Sequence, residues 1–109
     1  MLTRTISFFN NQSENDICAT LIKNDFPNAE ARSAYLAGFC ASEQGRGKCL
    51  KASIILSDKY LAAPNDEKNA DLRVLYLSLI EEINSARGTG YRAQRKKEFE
   101  DARDIAFGI

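Results

Sequence analysis

The chain has 109 residues, 15 Lys and Arg against 15 Asp and Glu, and no histidine or tryptophan. Balanced charge excludes a surface that binds nucleic acid or an anionic membrane over its whole extent. The missing imidazole removes the commonest general base and the commonest nitrogen ligand for metals. At this length a single domain with its own core is expected, with a stability of roughly 5–15 kcal/mol.

Residues 2–9 alternate, with Leu2, Ile6 and Phe8 on one side and Thr3, Thr5, Ser7 and Phe9 on the other. That is a strand pattern, and no other segment shares it. A lone strand leaves its backbone groups unpaired. Residues 1–12 are therefore read as an extended N-terminal arm whose Phe8 and Phe9 either fold onto the core or pair with a second copy or another protein. Residues 13–109 are read as one helical domain.

The first helix is expected over 13–25. Ser13 is the N-cap, Glu14 and Asp16 lie in the first turn, Ile17, Cys18, Leu21 and Ile22 form the apolar stripe, and Pro27 stops it. The second opens at Asn28 and continues to about residue 43. Ala34, Gly38 and Ala41 share a stripe of small residues that would let another helix come close, with Tyr35 and Phe39 at its edge. Gly45-Arg46-Gly47 reads as a break, because glycine costs roughly 1 kcal/mol relative to alanine inside a helix. The third helix then takes up at Lys48 and ends near Ala63, with Cys49, Ala52, Ile55, Leu56 and Tyr60 inward; one long kinked helix is the alternative. Pro64-Asn65-Asp66 is a turn and cap.

A fourth helix over 66–87 carries Leu72, Leu75, Leu79, Ile83 and Ala86 at spacings of three and four, with Val74, Leu77 and Ile80 widening the stripe, and is expected to be central. Gly88 suits its C-terminal cap. A fifth over 91–107 would turn Phe99, Ala102 and Ala106 inward, with Lys96–Glu100 and Lys97–Asp101 as ion pairs on its surface. The fold expected is thus all-α, a compact bundle of four or five helices. The run Ala34 to Phe39, Ala-Tyr-Leu-Ala-Gly-Phe, resembles stretches of small helical proteins encoded by bacterial viruses, and no function or site is carried over from it.

Cys18, Cys40 and Cys49 are an odd set spread over three expected helices, a poor disulfide framework, and no charged start with a long apolar run marks a leader. A reduced, cytoplasmic protein with three buried thiols is expected. The thiols lack paired zinc-ligand spacing, and no acidic loop has calcium-ligand spacing, so neither metal nor cofactor is expected. Gly45-Arg46-Gly47-Lys48 departs from a phosphate loop: Ser42 replaces the first glycine, Cys49 follows the lysine, and the preceding segment is helical. The adjacent carboxylates Asp66-Glu67, Glu81-Glu82 and Glu100-Asp101 point about 100° apart on a helix and do not share a site. No segment has the roughly 18 apolar residues of a membrane span.

One local asymmetry remains. Between Ser85 and Lys97 stand Arg87, Arg92, Arg95, Lys96 and Lys97 with no acidic residue, and Gly88, Gly90 and Tyr91 lie among them. A second stretch, 44–51, adds Arg46, Lys48 and Lys51. A field of one sign suits a partner of the other. The reading is a non-catalytic protein-binding module, a small regulator, adaptor or inhibitor, whose basic surface (Arg87, Tyr91, Arg92, Arg95, Lys96, Lys97, Arg46 and Lys48) meets an acidic protein. The alternative is a nucleic-acid-binding protein using stretches 44–51 and 87–97, with Tyr91 stacking on a base. Whether the two stretches meet in space decides how much weight this surface carries.

Overall fold

Each helix needs partners for its first free backbone N–H groups, and short oxygen-bearing side chains supply them. The computed structural model describes residues 11–108, and among these the chain forms four α-helices and a short 3-10 turn, with no strand. The all-α expectation holds. Residues 1–10 of the expected arm lie outside the described residues; of its last two, Asn11 is helical and Gln12 irregular.

Helix α1 (Glu14–Lys23) opens with a reciprocal cap. Ser13 Oγ accepts from the Asp16 N–H at 3.1 Å, and Asp16 Oδ2 accepts from the Ser13 N–H at 2.9 Å. It stops at Asn24, which adopts the left-handed conformation (φ 52°) and returns its N–H to the Thr20 carbonyl. Helix α2 (Ala29–Cys40) is capped by Asn28, whose Oδ1 accepts from the Ala31 N–H at 2.8 Å.

The expected break at Gly45-Arg46-Gly47 is displaced. Helix α2 ends at Cys40, three residues before the expected 43, and helix α3 (Glu43–Ala62) already contains both glycines. The turn falls at Ala41–Ser42 because extended Ser42 (φ −117°, ψ 155°) caps α3, accepting from the Gly45 N–H at 3.0 Å. A cap is worth about as much as a helical glycine costs, so the cap decides the boundary. Two helices are present here, not one kinked helix.

After the 3-10 turn Glu67–Asn69, capped by Asp66, comes helix α4 (Ala70–Ala106), 37 residues long. The sequence pointed to two helices, with Gly88 as a terminal cap. Instead both Gly88 and Gly90 lie inside one helix. At 1.5 Å per residue its length is about 55 Å, and the molecule is elongated, 62 × 27 × 23 Å, with a Cα radius of gyration of 16.7 Å. A compact chain of this size would have about 13 Å.

The core unites Ile17, Cys18 and Leu21 of α1, Leu36, Phe39 and Cys40 of α2, Cys49, Ala52 and Leu56 of α3, and Leu79 and Ile83 of α4. Ile22, Phe26, Tyr35, Ile55, Leu75, Tyr76, Ile80 and Ala86 pack around it. The stripe expected on α2 is turned away: Ala34 and Ala41 are exposed, whereas Leu36, Phe39 and Cys40 point in. Val74 and Leu77 are exposed too, so the inward arc of α4 is narrower than its apolar content suggested.

Helix α4 packs from its start to about Gln94, and its last turns project beyond the other helices. Phe99, Ile105 and Phe107 are 69%, 82% and 75% exposed, and Ala102 and Ala106 are exposed as well, because none of the described helices lies opposite this end. Among the described residues, the ion pairs of this end are Arg95–Glu98 at 3.8 Å and Arg103–Asp104 at 3.6 Å rather than the expected lysine pairs. Where α3 ends, Arg73 donates to the Tyr60 and Ala63 carbonyls at 3.0 and 2.6 Å and lies 4.1 Å over the Tyr60 ring. A cation there suits both the free carbonyls and the negative end of the helix dipole.

Candidate functional site

The displaced break and the unbroken α4 together bring the two basic stretches into contact. The first turn of α3 lies across the middle of α4, so Arg46 stands beside Arg87. Arg87 Nε donates to the Arg46 carbonyl at 3.2 Å. Arg46 itself is only 8% exposed. Its Nη1 donates to the Cys40 carbonyl at 2.9 Å, and its Nη2 donates to Gln94 Oε1. Gln94 Nε2 in turn donates to Glu98 Oε1 at 2.9 Å. A buried guanidinium is costly unless its donors are satisfied. Here Arg46 ties the end of α2 to the middle of α4, and its charge reaches the surface only at one edge.

Around this strut is a cavity of about 610 Å³. Arg46, Arg87, Tyr91 and Arg95 line it, but so do Glu43, Gln94 and Glu98. Three guanidinium groups therefore face two carboxylates, and Arg95 is paired with Glu98 at 3.8 Å. The local field is weakly positive and patterned rather than uniformly cationic.

The remaining residues of the expected surface stand outside this cavity. Arg92 is exposed and donates to Thr89 Oγ1 at 3.4 Å. Lys96 and Lys97 are exposed on the projecting part of α4, and Lys48 is half-buried on α3. The helix end expected at Gly88 does not form, so the segment between Arg87 and Arg92 offers no free backbone amides to an anion. Those amides are inside a helix.

Glu43 and Gln94 escaped the sequence reading, and Glu98 was not placed at the site. Gln94 and Glu98 lie seven and eleven residues after Arg87, the spacing of one helical face. Reading a helix end at Gly88 hid that relation. Among the described residues no group of three or more His, Cys, Asp or Glu side chains could hold a metal ion. No helix among them is long and apolar enough to cross a membrane.

Compared with family models, with curated proteins and with solved structures, the chain matches none of them.

Proposed function

We propose that this protein is a non-catalytic protein-binding module, a small regulator, adaptor or inhibitor, that receives an acidic segment of another protein at the α3/α4 cavity. The observation that carries the reading is the meeting of the two basic stretches: Arg87, Tyr91 and Arg95 line one cavity with Arg46 beneath them. Arg92, Lys96 and Lys97 extend the positive surface along α4. Glu43 and Glu98 in the same cavity favour a protein partner over nucleic acid. A peptide can place donors against them, whereas a phosphate backbone would be repelled. Three free thiols suit a reducing, cytoplasmic setting. Self-association through the N-terminal arm, residues 1–12, belongs to the same reading, and light scattering should show a dimer that becomes a monomer when residues 1–7 are deleted.

The test is recovery of partners from the native cell with the full chain and with a triple variant, Arg92→Glu, Arg95→Glu, Lys96→Glu. A stoichiometric protein band that survives nuclease and disappears with the variant or with rising salt supports the reading. Nuclease-sensitive recovery with a steep salt dependence transfers the site to nucleic acid. Equal recovery by the folded variant removes this surface from consideration.

A further inference from the structure

Arg46 is buried and Arg87 half-buried, and the two stand together, with the Arg87 Nε–H on the Arg46 carbonyl at 3.2 Å. Charges taken this far out of water are expected to have an opposite charge beside them. The ion pairs among the described residues are Lys23–Asp25, Arg32–Glu82, Arg95–Glu98 and Arg103–Asp104, and neither Arg46 nor Arg87 takes part in one. The bonds from Arg46 to the Cys40 carbonyl and to Gln94 satisfy its donors but leave its charge uncompensated. Arg87 is satisfied less. Its Nε is engaged, whereas its two terminal nitrogens have no hydrogen-bond partner among the described residues.

Both arginines line the α3/α4 cavity. The bond to the Arg46 carbonyl steadies the Arg87 guanidinium, so its remaining N–H groups form a fork that is ordered before any ligand arrives. Two parallel N–H groups fit a planar group that presents two oxygens. Charge then selects among such groups. Glu43 and Glu98 line the same cavity. A phosphate ester, with close to two negative charges at neutral pH, would be repelled by them. A carboxylate carries a single charge and supplies the missing counter-charge with less repulsion.

We propose that the α3/α4 cavity is a carboxylate site in which Arg87 Nη1 and Nη2 grip one carboxylate with two hydrogen bonds, over the buried charge of Arg46. This rests on the reading that the cavity receives an acidic segment, and it divides the basic residues by role. Arg87 is the anchor that recognises the group. Arg46 is a positioning residue, holding Arg87 through its carbonyl. The exposed Arg92, Lys96 and Lys97 steer an acidic chain toward the cavity without reading it. The carboxylate comes either from an Asp or Glu side chain or from the C-terminus of a chain.

The test titrates the nitrogen-15-labelled full chain and follows the Arg87 Nε–Hε signal by NMR. One probe is acetyl-hexaglutamate amide, whose carboxylates are all on side chains. The other is an acetylated Gly-Ser hexapeptide with a free C-terminus. A saturable shift of the Arg87 signal with either is expected, and the probe that produces it identifies the source of the carboxylate. Inorganic phosphate at matched ionic strength should not displace the peptide. Arg87→Lys keeps the charge and loses the fork, so it should weaken binding by about tenfold or more, read at the Tyr91 amide. Its urea midpoint shows whether it is folded, and the titration of the parent chain decides the question if it is not. No saturable shift with either peptide, displacement by phosphate, or binding by Arg87→Lys within about twofold of the parent overturns the proposal. If Arg87→Lys binds like the parent while the Arg92, Arg95, Lys96 triple variant still loses its partner, the anchor falls and the basic surface stands. A saturable Arg87 shift with no protein recovered from the cell keeps the carboxylate site and removes the protein partner.

Discussion

The carbonyl oxygen of Cys40 rests against Gly90: a β-carbon built on Gly90 would come within 2.0 Å of it. This contact is where α2 meets the middle of α4, and it explains why a glycine is carried inside a long helix at a cost of roughly 1 kcal/mol. A similar approach occurs within the α2–α3 corner, where a β-carbon on Gly45 would lie 1.7 Å from the Phe39 carbonyl. Gly47 has nothing within 4 Å. Gly90→Ala and Gly45→Ala should therefore each destabilise, by about 1–3 kcal/mol, as backbone is forced apart. Gly47→Ala should stabilise by about 0.5–1 kcal/mol. Urea midpoints of the three variants decide it; the same sign for Gly47 and Gly90 would contradict the packing described.

Arg46 separates a structural role from a surface role. As a solvated group its truncation would change stability by less than about 0.5 kcal/mol. As the buried strut that holds the Cys40 carbonyl and Gln94, its replacement by alanine should cost about 2–3 kcal/mol, because both partners lose a charge-assisted bond. Arg46→Lys should fall between, since a single ammonium cannot reproduce the forked geometry. Thermal or urea unfolding of the two variants beside the parent measures this directly.

The apolar pattern made α1 and the inward face of α3 readable from the sequence. Ile17, Cys18 and Leu21, like Cys49, Ala52 and Leu56, recur at helical spacing and are buried together. The helix boundaries around glycine were not readable. At Gly45 and Gly90 the residue marks a close approach by another segment's carbonyl, and only the tertiary arrangement shows which use of glycine applies. The site inherits that difficulty. Arg87, Tyr91 and Arg95 were legible as a charge cluster, but Gln94 and Glu98 belong with them only once α4 is continuous. Arg46 was legible as basic, whereas its burial depends on where α3 begins.

Arg32 and Glu82 join α2 to α4 by a two-pronged contact, Nη2 to Oε1 at 2.9 Å and Nε to Oε1 at 3.0 Å. Their side chains are 22% and 30% exposed, so water screens them only in part. Arg32 is also steadied by Asn24 Oδ1, which accepts from Nη1 at 3.0 Å. A double-mutant cycle of Arg32→Ala and Glu82→Ala should give a coupling of about 0.5–1 kcal/mol, smaller at ~1 M salt. A coupling indistinguishable from zero at low salt would mean that the pair does not hold the two helices together.

The cap of α1 has a pH signature. Asp16 accepts from the Ser13 backbone N–H, and Ser13 Oγ bonds back to the Asp16 amide. The backbone bond, then the side-chain contact, lower the Asp16 carboxyl below its ordinary value, about 3.9. A carboxyl depressed in the folded chain adds stability that is fully present above its unfolded pKa and lost as pH falls through the folded one. The contribution should thus be intact at neutral pH and vanish in the acid range below about pH 4. A carbon-detected titration of Asp16 should give a midpoint below that of the same residue in the unfolded chain. Ser13→Ala should raise the midpoint only part of the way, since the backbone donor, the larger cause, remains. Asp16→Asn should flatten the stability profile over the same window. An Asp16 midpoint at or above the unfolded value would show that the reciprocal cap does not form in solution.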